Sequence, residues 1–255
     1  MALDNKVDNK KESKSSPYSD LSSDLKKMLY GILFYIKKRG LCSSLLIFVN
    51  SLRERLWFIT HRKSAITFKD FNIIEKNLDN QTHSTFYAPT PIIPFFKLVR
   101  KLDLPTESVF VDYGAGKGRA MILAAESGRF SKIKGLEFSP SLYKIGQKNT
   151  QYYAEKKQID YFHLMHTDVL DYEVKSEDNF FYFFHPFDAT ILEKCLENIY
   201  ASLKTTPRRA LLIYQSNTKD YTNFISKEGS FKLQEVFKSF GVQFYVYKSN
   251  FQDKI

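Results

Sequence analysis

Three glycines at alternate positions, Gly114, Gly116 and Gly118, lie between a short β-branched apolar run, Val109 to Val111, and a helix-forming run that begins at Arg119. Glycine lets the backbone turn sharply and come close to a ligand, because no Cβ stands in the way. A helix behind such a turn points its unpaired N–H groups into it. The chemistry expected here is capture of a nucleotide-like ligand at the carboxyl end of a strand. Spacing and charge narrow the choice. A dinucleotide turn reads G-x-G-x-x-G around a pyrophosphate, whereas this one reads G-x-G-x-G with Asp112 at the strand end just before it. A carboxylate there repels a pyrophosphate and attracts a cation. The alternative is a glycine-rich strand-to-helix turn that holds no ligand.

Other candidates lie at strand ends, where an open α/β sheet binds its ligands. Glu137 ends the next strand, roughly twenty residues beyond the last glycine, where an acidic side chain accepts from both ribose hydroxyls. Asp168, in His166-Thr-Asp-Val169, is placed to accept from an adenine amino group or else to cap its own loop. A fourth strand ends in Phe183-Phe-His-Pro-Phe-Asp188, with a proline that fixes the backbone as it leaves the sheet. That geometry aims His185 at a reacting group, with Phe187 as a wall. Imidazole takes a proton near neutral pH, so His185 is a candidate general base, against the alternative of a histidine that only closes a strand. His61, His83, His163 and His166 show no ligand spacing.

These residues need a sheet to hold them, and the chain supplies its pattern. A strand from Val109, a strand at 132–138, a helix from Ser139-Pro140 to about Lys156, and strands at 161–165 and 179–184 follow in order. A helix at 189–203, a strand at 209–215 and a hairpin at 231–237 and 242–248 complete the series. The expected fold is α/β, a Rossmann-like doubly wound sheet of seven strands. Ahead of it, Thr90-Pro91 reads as a helix start running to about Leu102, with threonine as N-cap and proline where no N–H is needed. Residues 1–24 mix Lys, Asp, Asn and Ser with almost no apolar residues and read as a disordered tail without the apolar core of a signal peptide. Residues 25–86 read as a basic and apolar extension, with two helices broken near Gly40 within 25–58 and a polar, loop-rich run at 61–86, and 87–255 as the sheet domain.

The chain has 255 residues, of which 43% are hydrophobic, including 23 Phe and 16 Tyr, so it can fill one large core. Its two cysteines, Cys42 and Cys195, have neither metal-ligand nor CxxC spacing, and no disulfide, secretion or metal site is expected. Of the net charge of +10, the stretch from 37 to 63 contributes +6, with Lys37, Lys38, Arg39, Arg53, Arg55, Arg62 and Lys63 against Glu54 alone. An acidic partner surface, or simply a solvated helix face, follows from that excess. The apolar runs between these charges are too short to span a bilayer. They suit either a lid over the sheet domain or a helix pair lying in an anionic membrane surface through residues 28–63.

The glycine turn with Asp112 resembles the first motif of class I S-adenosylmethionine-dependent methyltransferases. With Tyr87-Ala-Pro-Thr-Pro91, Gly135-Leu-Glu-Phe-Ser-Pro140 and His185-Pro-Phe187 added, the chain is similar to a bacterial family of such enzymes, mostly of unassigned substrate, often met beside glycan-biosynthesis genes. The resemblance spans roughly 25–248. It implies S-adenosylmethionine bound by Tyr87, Thr90, Asp112, Gly114, Ala115, Gly116, Lys117, Gly118, Glu137, Phe138, Ser139, Asp168 and Val169, with His185, Pro186 and Phe187 at the transferring methyl group. Family members usually carry Asn where this chain has His185, which turns the expectation from an amine acceptor toward a hydroxyl, in a glycan or another polar molecule. The alternatives are protein lysine N-methylation, since lysine methyltransferases share a proline-containing segment before the glycine motif, and a non-catalytic membrane-associated scaffold. A cytoplasmic location, at the inner membrane face if the basic helices bind lipid, completes the expectation, and nucleic acid is a lesser candidate partner.

Overall fold

Val109–Tyr113 forms β1, an interior strand of a seven-stranded sheet, and all five of its residues are buried. Strands of a parallel sheet covered on both faces read as continuous apolar runs, and Phe180–Phe183 (β4) and Leu211–Gln215 (β5) do so as well. The computed structural model describes Leu45, Val49 and Leu52, and residues 89–105, 107–184, 186–216, 225–226 and 230–251. Two compact units divide the chain, Met1–Phe48 and Val49–Ile255. In the first, Leu45 is helical and exposed; in the second, Val49 and Leu52 are helical and Leu52 is exposed. The rest of the basic extension and the tail at 1–24 lie outside the described residues. Among the described residues no helix is long and apolar enough to cross a membrane.

In chain order the second unit runs α1 (Ile92–Lys101), β1, α2 (Arg119–Glu126), β2 (Lys132–Glu137), α3 (Pro140–Lys157), β3 (Phe162–His166), β4, α4 (Ala189–Thr205), β5, β6 (Phe231–Ser239) and β7 (Val242–Ser249). The strands lie in the order β3-β2-β1-β4-β5-β7-β6. The first five are parallel, and β7 runs antiparallel between β5 and β6. Chain order reverses between β1 and β4, so their carboxyl ends, paired at Tyr113 and Phe183, open the crevice in which such sheets bind ligands. The β6–β7 hairpin closes on Phe240 and Gly241, both at positive φ, the conformation a tight right-twisting hairpin requires.

Each face of the sheet carries its own core. Phe95 of α1, Ala120, Met121 and Leu123 of α2, and Phe110, Phe180 and Tyr182 fill one face. Leu196, Ile199 and Tyr200 of α4, with Val111, Tyr113, Phe181 and Phe183, fill the other. Because side chains alternate along a strand, Asp112 shares the first face with Phe110. Beneath the sheet, the fully buried Asp178 accepts from Lys134 Nζ at 2.6 Å, Tyr172 Oη at 2.7 Å and the Lys175 amide at 2.8 Å, which fixes the loop between β3 and β4.

Two helix starts follow the sequence. Ser139 accepts from the Leu142 amide at 3.3 Å, and Asp188 from the Ile191 amide at 3.1 Å. The third differs: Pro91, not Thr90, occupies the cap position of α1, and no side chain caps it. Thr90 is buried, and its hydroxyl turns inward to Tyr182 instead, because a buried hydroxyl needs a partner more than a solvent-facing helix end does.

Candidate active site

The glycine turn is built as the sequence suggests. Gly114, Gly116 and Gly118 have φ of 90°, 55° and 77°, all in the left-handed region that glycine enters without strain. The turn's amides are largely occupied from within, however. Gly114 and Ala115 both donate to Leu136 O, at 3.0 and 2.8 Å, and Gly118 donates to Ala115 O at 2.8 Å. A loop whose amides bind its own protein does not offer them to a pyrophosphate, which agrees with the G-x-G-x-G spacing.

Glu137 holds this arrangement together. Its Oε2 accepts from the Gly116 amide at 2.7 Å and its Oε1 from the Ser139 amide at 2.8 Å, so one carboxylate clamps the turn to the end of β2 and the start of α3. From above, α3 lies against the turn. A Cβ on Gly146 would stand 2.8 Å from Gly116 O, and one on Gly118 would stand 2.8 Å from the Thr150 side chain. Asn149 donates to Lys117 O at 3.0 Å. Lys117, Gly118 and Arg119 are buried beside this contact.

Asp112 is 3% exposed, and among the described residues its carboxyl makes no hydrogen bond and no ion pair. Burial, and then the neighbouring Glu137 carboxylate, push it up to about 8. An acid in this state is poised to accept a cation, since an arriving positive charge would supply the compensation that the protein withholds.

The Phe183–Asp188 segment closes the other side. A Cβ on Gly114 would stand 2.7 Å from Pro186 Cβ, so the proline sits directly on the first glycine of the turn. Phe187 is buried, with its ring edge-on to Phe183 at 6.1 Å. His185, the candidate base, and Tyr87 lie outside the described residues.

Thr90, Tyr182 and Gln215 form a buried polar chain on the Asp112 face. The Tyr182 hydroxyl donates to Gln215 Oε1, and Thr90 Oγ1 lies 3.2 Å from Tyr182 Oη. Burial first, with the Asp112 charge adding to it and the Thr90 hydrogen bond opposing, holds the Tyr182 phenol well above its ordinary value, so it stays protonated. Of this chain only Thr90 was legible in sequence. Gln215 left one sign, a polar residue ending the otherwise apolar Leu-Leu-Ile-Tyr run, and Gly146 another, a glycine inside a helix. Tyr182 left none.

On the β2 and β3 side, Phe138 is 47% exposed, while His166 Nε2 lies 3.0 Å from Phe138 O and stacks on Tyr143. Asp168 Oδ1 accepts from the Leu170 amide at 2.9 Å, and Val169 is buried behind it. Cys195 is buried, and burial, then Asp168, push its thiol up to about 12, which removes it as a nucleophile. A separate groove of about 660 Å³ follows β3 between α3 and the 172–177 loop, and no residue of the glycine turn lines it.

No family model matches the chain, and no curated protein matches it in sequence. Solved structures do match in fold. The pyocyanin biosynthetic protein PhzM aligns over 61% of this chain and 54% of its own at 14% identity, with a TM-score of 0.50. An RNA methyltransferase from Salinibacter ruber in complex with S-adenosyl-L-homocysteine aligns over 66% of this chain and 96% of its own, at 18% identity and a TM-score of 0.46. A SAM-dependent methyltransferase from Aquifex aeolicus aligns over 62% and 89%, at 13% identity and 0.46. The doubly wound sheet, with its order β3-β2-β1-β4-β5-β7-β6 and its antiparallel β7, is the class I methyltransferase fold.

Proposed function

We propose that this chain is an S-adenosylmethionine-dependent methyltransferase acting on a polar acceptor, a hydroxyl of a glycan or other small molecule. The observation that carries the reading is the buried Asp112 carboxyl, without a hydrogen-bonding partner among the described residues, at the mouth of a left-handed glycine turn. S-Adenosylmethionine, when bound, supplies an electrophilic methyl group on a sulfonium. Asp112 suits its ammonium. A carboxylate has about four acceptor sites, so Glu137 takes ribose hydroxyls while it clamps the turn. Phe138, Ser139, Asp168 and Val169 border the adenine side, and Gly114 to Gly118 provide the close backbone approach.

Pro186 and Phe187 wall the crevice against water beside Gly114, so that alignment supplies most of the rate, as positioning can in a two-reactant step. His185 precedes them and is the proposed acceptor of the hydroxyl proton. The finer assignment to the bacterial family with the Tyr87-Ala-Pro-Thr-Pro91 and His185-Pro-Phe187 segments rests on those motifs, and a glycan acceptor rests on that assignment. A peripheral place on an anionic membrane, through residues 28–63, belongs to the same proposal.

Isothermal titration with S-adenosylhomocysteine tests the reading. Saturable heat with one site per chain is the expected result. A well-folded parent that gives no heat is a scaffold with this fold, and the enzyme assignment fails.

A further inference from the structure

The amino-acid end of the proposed cofactor carries an α-carboxylate as well as an ammonium, and the crevice treats the two ends unequally. Asp112 on β1 and Glu137 on β2 make that side of the site acidic. A carboxylate is repelled there and must lie toward β4 and β5. On those strands the hydrogen-bond donors of the Asp112 face are Tyr182 and Gln215, with Thr90 beside them. Their commitments follow one from another. The single phenolic proton of Tyr182 goes to Gln215 Oε1, so the Thr90 hydroxyl donates to Tyr182 Oη. Both hydroxyl protons are thereby used. The Gln215 carboxamide is fixed with its oxygen against Tyr182, which turns its NH2 group away from that hydroxyl. Gln215 is 3% exposed, and its two N–H donors have no acceptor among the described residues.

The spacing agrees. Asp112 pairs with Tyr182, and Tyr182 with Ile213, two residues before Gln215. Asp112 and Gln215 are thus two strand spacings across and two residues of rise along the sheet from each other, roughly 12 Å between Cα atoms, a gap that the two side chains bridge in part. An ammonium and a carboxylate on one α-carbon, with a hydrogen bond at each end, span roughly 9 Å.

We propose that Gln215, oriented by Tyr182 and Thr90, binds the α-carboxylate of S-adenosylmethionine while Asp112 holds its ammonium. The assignment rests on the cofactor reading above and adds to it the group that recognises the negative end. Tyr182 is a positioning residue: its hydroxyl touches Gln215 and holds the amide in register.

Calorimetry with two ligands tests this without any acceptor substrate. S-Adenosylhomocysteine carries the carboxylate; its decarboxylated analogue, S-adenosyl-3-thiopropylamine, keeps the ammonium and lacks it. The parent should bind the first about tenfold or more tightly than the second, the usual size of a charge-assisted hydrogen bond. In Gln215→Met, which fills the same volume without a donor, the ratio should fall to within about twofold. In Tyr182→Phe it should take an intermediate value, because the amide remains but is no longer held. A ratio that persists in Gln215→Met overturns the assignment. So does a parent that binds both ligands equally, whether or not any variant folds. A parent that binds neither ligand instead removes the cofactor reading itself.

Discussion

Asp112 should make the ligand-free protein less stable than it needs to be, and the cost should depend on pH. Its carboxyl titrates at about 8 in the folded chain, against about 3.9 when unfolded. Between those values the folded state holds a proton that the unfolded state has lost, so stability is full below about pH 4 and declines as pH rises through 8. Integrating that difference from pH 6 to pH 8 gives a loss of about 2 kcal/mol. Asp112→Asn has the shape of the protonated acid and cannot ionise. Urea unfolding at pH 6, 7 and 8 should therefore show the parent losing about 2 kcal/mol relative to Asp112→Asn across that range. His163, held below its ordinary value by burial and then by Lys132 and Lys134, titrates in both proteins and cancels in the comparison. The same variant should lose binding of S-adenosylhomocysteine, because the ammonium pairs with the ionised form. Below pH 8 the parent should release a proton on binding, seen as a buffer-dependent heat. Parallel stability curves for the two proteins would refute a buried, uncompensated acid, and unchanged affinity in the variant would refute its role toward the ligand.

Glu137→Gln sets an N–H2 group against either the Gly116 or the Ser139 amide, a donor facing a donor. The ligand-free protein should lose about 1–3 kcal/mol in urea, a loss absent if the residue served ribose alone. Gly114→Ala drives a Cβ to 2.7 Å from Pro186 Cβ at a φ of 90°, so it should weaken S-adenosylhomocysteine binding as well as stability. Gly128→Ala, at a φ of 63° with no atom within 4 Å of the added Cβ, is the control: it should cost about 1–3 kcal/mol of backbone strain and leave affinity unchanged.

Much of this protein is written locally in its sequence. A β-branched run, alternate glycines and a helix-forming run specify strand, turn and helix by conformational preference alone, and β1 and α2 appear where those residues lie. Ser139-Pro140 opens α3 for the same reason, since a cap acts within three residues of itself. Strands whose apolar runs end in Asp112 and Glu137 place acids at the carboxyl edge of the sheet before any packing is known. The tertiary structure decided what those acids touch. Glu137 reads as a ribose ligand by position, whereas one contact the fold gives its carboxylate is the Gly116 amide, which only the β1–β2 pairing brings to it. Thr90 reads as a helix cap, yet its hydroxyl joins Tyr182, ninety-two residues away. The seat of Pro186 on Gly114, of Gly146 on Gly116, and of Gln215 on Tyr182 likewise depends on which strands become neighbours. Propensity and capping act over a few residues and so can be read in order along the chain. Contacts between distant segments follow from burying two apolar faces at once, and no local pattern records them.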